Sequence, residues 1–168
     1  IIGTYDENGV ADAMNAAWGG ISETNEISIC LGTEHKTVAN LKKTGAFTVS
    51  MGDAQHVAAC DYVGIVSGNK VTDKMEKAGF TVTKSEFVNA PVINELSVCL
   101  ECKVKSYDED ACRLIGEIVN ISVDESVLTD GKVDVEKVQP ISFDPFNNAY
   151  HVLGQKVGNA FSDGKQLK

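Results

Sequence analysis

The chain has 168 residues, 24 acidic and 15 basic side chains, a formal net charge of −9 and 43% hydrophobic residues. That composition fits one soluble globular domain, and no apolar run approaches the roughly 20 residues needed to span a bilayer. The acidic balance, unbroken by a basic stripe, disfavours long-range attraction to nucleic acid or an anionic membrane and leaves local sites for small anions.

The chain opens on Ile1-Ile2-Gly3-Thr4-Tyr5, a strand already under way, with neither an initiator methionine nor a signal-peptide pattern. A further N-terminal segment is therefore expected to precede it. Asp6-Glu7-Asn8-Gly9 supplies a turn, Val10 to Trp18 the returning strand of a hairpin, and Gly19-Gly20 an unobstructed turn beyond it. Glu26 to Leu31 alternates polar and apolar residues as a strand does, after which Val38, Leu41 and Lys42 begin a short helix that Gly45 can end.

Ala46 to Met51 resumes as a strand. Asp53 could cap a helix carrying Val57, Ala58 and Tyr62, and Thr72 or Asp73 could cap the segment Lys74 to Ala78 before Gly79. Phe80 to Phe87, Ile93 to Lys105 and Arg113 to Val123 read as strands, the last two long enough to bend around a barrel and joined by Ser106 to Ala111. Asp130-Gly131-Lys132 reads as a turn and Asp134 to Val138 as one helical turn. Pro140, Pro145 and Asn147-Asn148 argue against a continuous terminal helix, so the tail is expected to wander over the surface. The predicted fold is mainly β, a closed or nearly closed antiparallel barrel with short inserted helices, in a single domain over residues 1–168.

The most chemically suggestive segment is Thr33 to Leu41. It sets His35, Lys36 and Thr37 at a predicted helix start directly after a strand. First-turn amides lack intrahelical partners, so Thr37 can cap them while a phosphate shares the remaining donors with Lys36 and His35. The alternative is an ordinary capped surface helix.

Five cysteines cannot close into a complete intrachain disulfide set and fit a reducing, cytoplasmic compartment. Cys99-Leu100-Glu101-Cys102 has dithiol spacing but lies in a predicted strand, where residues three apart face opposite sides. The three histidines are too dispersed to suggest a metal site, and His56 reads as a packing residue. Glu95 and Glu101 read as solvated or paired at an interface.

The order of several segments resembles the flavin reductase-like family with an FMN-binding split β-barrel, and most closely its flavoredoxin-type branch. These segments are Ile2 to Gly9, Asn15 to Gly20, His35-Lys36-Thr37 through Asn40, Thr44 to Phe47, Gly64 to Ser67 with Lys74, and Tyr150 to Gly164. The resemblance implies a homodimer with FMN in a groove near the subunit interface. It places Asn15, Ala16, Ala17 and Trp18 beside the flavin, His35, Lys36 and Thr37 around its phosphate, and Asn40 in support. Met14-Asn15 departs from the family, which often has threonine after that methionine, and an amide side chain is expected to take over there.

Trp18 either walls the flavin or packs in the barrel or dimer core. Lys74 either approaches the phosphate or the opposing subunit, or turns outward as an exposed helix lysine. Phe161, with Tyr150, is expected to cover the flavin or seal the dimer. The implied activity is an FMN-dependent oxidoreductase drawing on NADH or NADPH and passing electrons to a small acceptor or a partner protein. The alternatives are an FMN electron carrier reduced by a separate protein and a nonflavin structural or binding domain.

Overall fold

The segment Glu26–Cys30 alternates in burial as a half-buried strand does, and glycines in the left-handed region end the helices Lys36–Thr44 and Lys74–Ala78. In the computed structural model, which describes residues 1–167, strands β1 (Ile2–Tyr5), β2 (Ala11–Met14), β3 (Gly19–Glu23) and β4 (Glu26–Cys30) precede helix α1 (Lys36–Thr44) and strand β5 (Ala46–Ser50). Helices α2 (Val57–Ile65) and α3 (Lys74–Ala78) lead into β6 (Val82–Lys84), β7 (Pro91–Ile93) and the long strands β8 (Val98–Asp108) and β9 (Arg113–Val123). The chain continues through β10 (Leu128–Thr129), β11 (Lys132–Val133), α4 (Val135–Val138), β12 (Ile141–Asp144) and β13 (Ala149–Val152).

Seven strands form one antiparallel sheet in the order β2-β1-β5-β8-β9-β4-β3, whose edges are β2 and β3. Three two-stranded ribbons accompany it: β6-β7, β10-β11 and β12-β13. Phe47 is fully buried and clusters with Ile2, Ile29, Val38, Leu41 and Leu114, which clamps α1 against the sheet. Its ring occupies the space over Gly116, where an added Cβ would lie 2.7 Å from Phe47 Cε1, so the strand needs glycine there. A second cluster, with Ala13, Cys60, Val63, Phe80 and Ile93, seats α2 against β2.

The opening hairpin forms as read, with Gly9 at φ 76° in its turn, but β2 ends at Met14 and leaves Asn15 to Trp18 as irregular backbone. Gly19-Gly20 is not a turn. It begins β3, which pairs with β4 so closely that a Cβ on Gly19 would lie 2.8 Å from the Ser28 carbonyl oxygen. Gly45 and Gly79 end α1 and α3 at φ 67° and 73°.

The expected strand from Ile93 to Lys105 is two strands, because the chain turns at Asn94 to Ser97 before β8 starts. β8 also runs to Asp108, through what had read as a connection, and the Phe80 to Phe87 strand shrinks to Val82–Lys84. The tail does not simply wander: Ile141 to Val152 folds back as the β12-β13 hairpin, with Asn148 at φ 50° in its turn. Only the segment beyond it, residues 153–167, lies exposed throughout.

Candidate functional site

A groove runs where the irregular backbone after β2 passes the start of α1 and the end of α2. Its narrow end is a cavity of about 150 Å³ lined by Asp12, His35, Lys36, Thr37, Lys74 and the 66–68 loop, among others. Its wide end, about 330 Å³, is lined by Asn15, Ala16, Ala17, Trp18, Asp61, Phe143 and Tyr150. Met14, His35, Gly64 and Ile65 border both cavities and make them one continuous feature.

The narrow end is organised by Asp12, a carboxylate on β2 that is only 3% exposed. Thr37 Oγ1 donates to Asp12 Oδ2 at 3.5 Å, and Lys74 Nζ lies 3.7 Å from Asp12 Oδ1. Lys36 Nζ sits 3.5 Å from Asp6 Oδ2 in the turn of the first hairpin. Burial lowers the Lys74 ammonium pKa against the opposing pull of Asp12, while burial raises the Asp12 carboxyl against the pull of Lys74 and Lys36. Asp6 is held below the usual carboxylate range by backbone hydrogen bonds from Val10 and Asn8, with Lys36 adding to them.

Two sequence expectations change at this end. Thr37 does not cap α1: His35 is the N-cap residue, no side chain caps the helix, and the Thr37 hydroxyl is committed to Asp12. The Lys36 and Thr37 amides are thereby left to other acceptors, whereas the Val38 and Ala39 amides donate to the His35 carbonyl oxygen at 3.0 and 3.3 Å. Lys74 does not turn outward, and its side chain is 4% exposed. A lysine can be held so deeply because a carboxylate faces it, and that carboxylate is 62 positions earlier in the chain.

His35 is partly exposed with Nε2 3.5 Å from Glu34 Oε1, at the junction of the two cavities. Asn40 lies on the inner side of α1, where its Nδ2 donates to Thr4 Oγ1 at 3.0 Å and ties the helix to β1. It supports the site without lining it.

The wide end is walled by aromatic rings. Trp18 meets Phe143 edge-on at 6.3 Å between ring centroids, and Phe143 meets Tyr150 at 5.9 Å. Trp18 is 61% exposed, so within one chain it is a wall residue of the groove rather than part of the core. Phe161 is 98% exposed and stands apart from both cavities in this chain.

Asp12, Asp61 and Phe143 did not stand out in the sequence, and neither did Gly68. A Cβ on Gly68 would intrude on the Asp12 carboxylate, with Cγ at 2.9 Å, and on Gly64 it would lie 2.9 Å from Asn15 Cβ. A glycine-bearing loop after a helix was the available signal for this close approach.

The remaining sequence candidates lie elsewhere. Cys99 and Cys102 are both free and buried, and burial pushes Cys102 up to about 12, which leaves this spacing without a reactive thiolate. Glu101 is neither solvated nor at a surface. It is 1% exposed and accepts hydrogen bonds from Ser85, Asn120 and Ser122. His56 packs against Phe80 but also bonds Asp53 through Nδ1 at 2.8 Å. No cluster of three metal-ligating side chains occurs among the described residues.

The family model for the flavin reductase like domain matches residues 1–141, and the chain belongs to that family. It superimposes on the flavoredoxin of Desulfovibrio vulgaris (Miyazaki F) with a TM-score of 0.92 and 36% identity, covering 97% of this chain and 90% of that one. A flavoredoxin from Methanosarcina acetivorans gives a TM-score of 0.91 at 29% identity, over 99% of this chain and 90% of that one. An uncharacterized protein of Halalkalibacterium halodurans is 33% identical over 119 residues, 66% of this chain and 56% of that protein. The chain spans about half the length of the curated relatives it matches. The fold is thus the flavin reductase-like, FMN-binding split barrel.

The residues that line the groove fit a flavin mononucleotide in kind. Two lysines and an uncapped helix start suit a phosphate, and glycine cradles plus an aromatic wall suit a planar ring.

Two outcomes follow from this geometry. Asp12→Ala strands the buried Lys74 ammonium and is expected to destabilise the fold by about 3–5 kcal/mol in urea titrations. Adding Lys74→Met should recover much of that loss, and an Asp12→Ala protein as stable as wild type would mean that the pair is solvated. Burial and the hydrogen bond to Asp61 raise the Tyr150 phenol from 10.0 to about 12. The folded chain then keeps a proton that the unfolded chain releases, so this stabilisation is complete below pH 10 and is lost as pH rises through about 12. Phenolate absorbance of wild type against Tyr150→Phe should show that late-titrating group disappear.

Proposed function

We propose that this chain is an FMN-dependent oxidoreductase that accepts electrons from NADH or NADPH and passes them to a small acceptor or a partner protein. The observation that carries this reading is the continuous groove with a lysine-lined, phosphate-sized end and an aromatic-walled, ring-sized end. Bound flavin supplies the electron chemistry, so the protein's part is to bind, orient and shield it. Lys36, Lys74, His35 and the Lys36 and Thr37 amides at the start of α1 hold the phosphate, while the Thr37 side chain acts through Asp12 and Asn40 steadies the helix. Asn15, Ala16 and Ala17 offer main-chain groups and one amide to the ring and ribityl chain, and Trp18 walls its exposed side.

A second reading is favoured by the 36% identity to a flavoredoxin over 97% of this chain: an FMN electron carrier reduced by a separate protein. Anaerobic stopped-flow mixing of the FMN-loaded chain with NADH or NADPH separates the two. Rapid bleaching of the flavin is expected for the oxidoreductase, and bleaching only after a reductase is added would replace it with the carrier. In the same preparations Lys36→Ala should weaken FMN by about 1.5–3 kcal/mol and leave riboflavin nearly unchanged, because only FMN offers a charged phosphate. Failure of the wild-type chain to bind either flavin would leave only a nonflavin binding domain.

We further propose a homodimer in a reducing, cytoplasmic setting. Trp18, Ile21, Val157 and Phe161 are exposed apolar side chains that a second copy could cover, and Phe161 would reach a flavin only from the mate. Sedimentation at nanomolar concentration should give a dimer, and a monomer with full FMN affinity would refute interface-dependent binding.

A further inference from the structure

We propose that Tyr150, anchored by Asp61, is a positioning residue that fixes the Asn15 amide so that its carbonyl oxygen is the acceptor offered to the flavin. The proposal rests on the flavin reading of the groove. It begins with proton arithmetic. A tyrosine hydroxyl has one proton to give, and a carboxylate can only accept. Tyr150 donates that proton to Asp61 Oδ1 at 2.9 Å. The second contact of the same oxygen, 3.2 Å to Asn15, must then be received from a donor, which assigns the NH₂ group to that side of the amide. Asn15 Oδ1 is the atom left over, and among the described residues no side chain or backbone group donates to it.

Packing supports the same orientation. Asn15 follows the last residue of β2 and has Gly64 against its Cβ, at a spacing that no larger residue on α2 would allow. Asp61 is one turn earlier on the same helix, and Tyr150 arrives from β13. Three distant parts of the chain thus close on one amide, which lines the wide end of the groove together with Asp61 and Tyr150. An amide held through its nitrogen loses the freedom to flip, so its oxygen recognises a ligand N–H or O–H group without further ordering cost. The oxidised isoalloxazine ring and the ribityl chain both carry such donors.

The test is a titration of FMN and riboflavin, followed by flavin fluorescence, with wild type, Tyr150→Phe, Asn15→Ala and the double variant. Each single change is expected to weaken both flavins by the same factor, about five- to tenfold, as for one neutral hydrogen bond. The double variant should be no weaker than Asn15→Ala alone, because Tyr150 acts through Asn15. Additive losses, or a loss confined to FMN, would overturn the proposal. The flavin-free protein gives an independent readout: the Asn15 side-chain NH₂ protons should exchange slowly with solvent in wild type and rapidly in Tyr150→Phe. Rapid exchange in wild type would also overturn it. A wild-type chain that binds neither flavin but protects those protons would refute the flavin reading while keeping the Asp61–Tyr150–Asn15 relay.

Discussion

One buried carboxylate holds the site together. Asp12 sits at the edge of the main sheet and reaches the α1 hydroxyl of Thr37 and the α3 ammonium of Lys74, so three elements distant in sequence share one charge centre. A chain with a net charge of −9 has little long-range pull on an anion. What it has is a local arrangement in which two lysines are each partly countered by an aspartate. That balance permits Lys74 to remain buried, and on the flavin reading a phosphate would compete with Asp12 and Asp6 for the same cations. The uncapped start of α1 then matters more, because its amides carry no competing charge.

The two ends of the groove divide the work by chemistry. The narrow end is charged and fixed by side chains on regular elements. The wide end uses irregular backbone after β2, an aromatic wall from the late β12-β13 hairpin, and Gly64, which lets α2 approach Asn15 closely. The late hairpin therefore helps to build the site, with Tyr150 and Asp61 bridging it to α2. Cys99 and Cys102 offer no second redox couple, because both lie buried on β8 with their thiol pKa values raised. On the flavin reading, electrons have no thiol relay at that spacing to share the task.

Much of this was legible in the sequence, and the limits have physical causes. The first hairpin, β4, α1, β5 and β9 follow from local periodicity and from glycine stops, so the reading and the structure agree within a few residues. His35, Lys36 and Thr37 do meet at one cavity, because a strand followed by a helix start is a local signal. Thr37 was misread as a cap since capping statistics are local, whereas the hydroxyl's partner is on β2. The burial of Lys74 and the network around Glu101 depend on partners brought in by topology, which a window along the chain does not contain. β3 was hidden by two glycines whose strand conformation comes from pairing with β4.

The tail carries the same lesson further. Its asparagines and prolines argued against a continuous helix, and the tail carries only a short 3-10 helix at Asp163–Leu167; Pro145, Asn147 and Asn148 are also the turn residues of a hairpin, and Asn148 uses its tolerance of positive φ to make that turn. Beyond Val152 the pattern ends: Val157, Phe161 and Leu167 are almost wholly exposed. Apolar side chains at such exposure gain nothing from the fold of one chain. They follow in sequence a hairpin that already walls the groove, and on the homodimer proposal the mate is what would bury them.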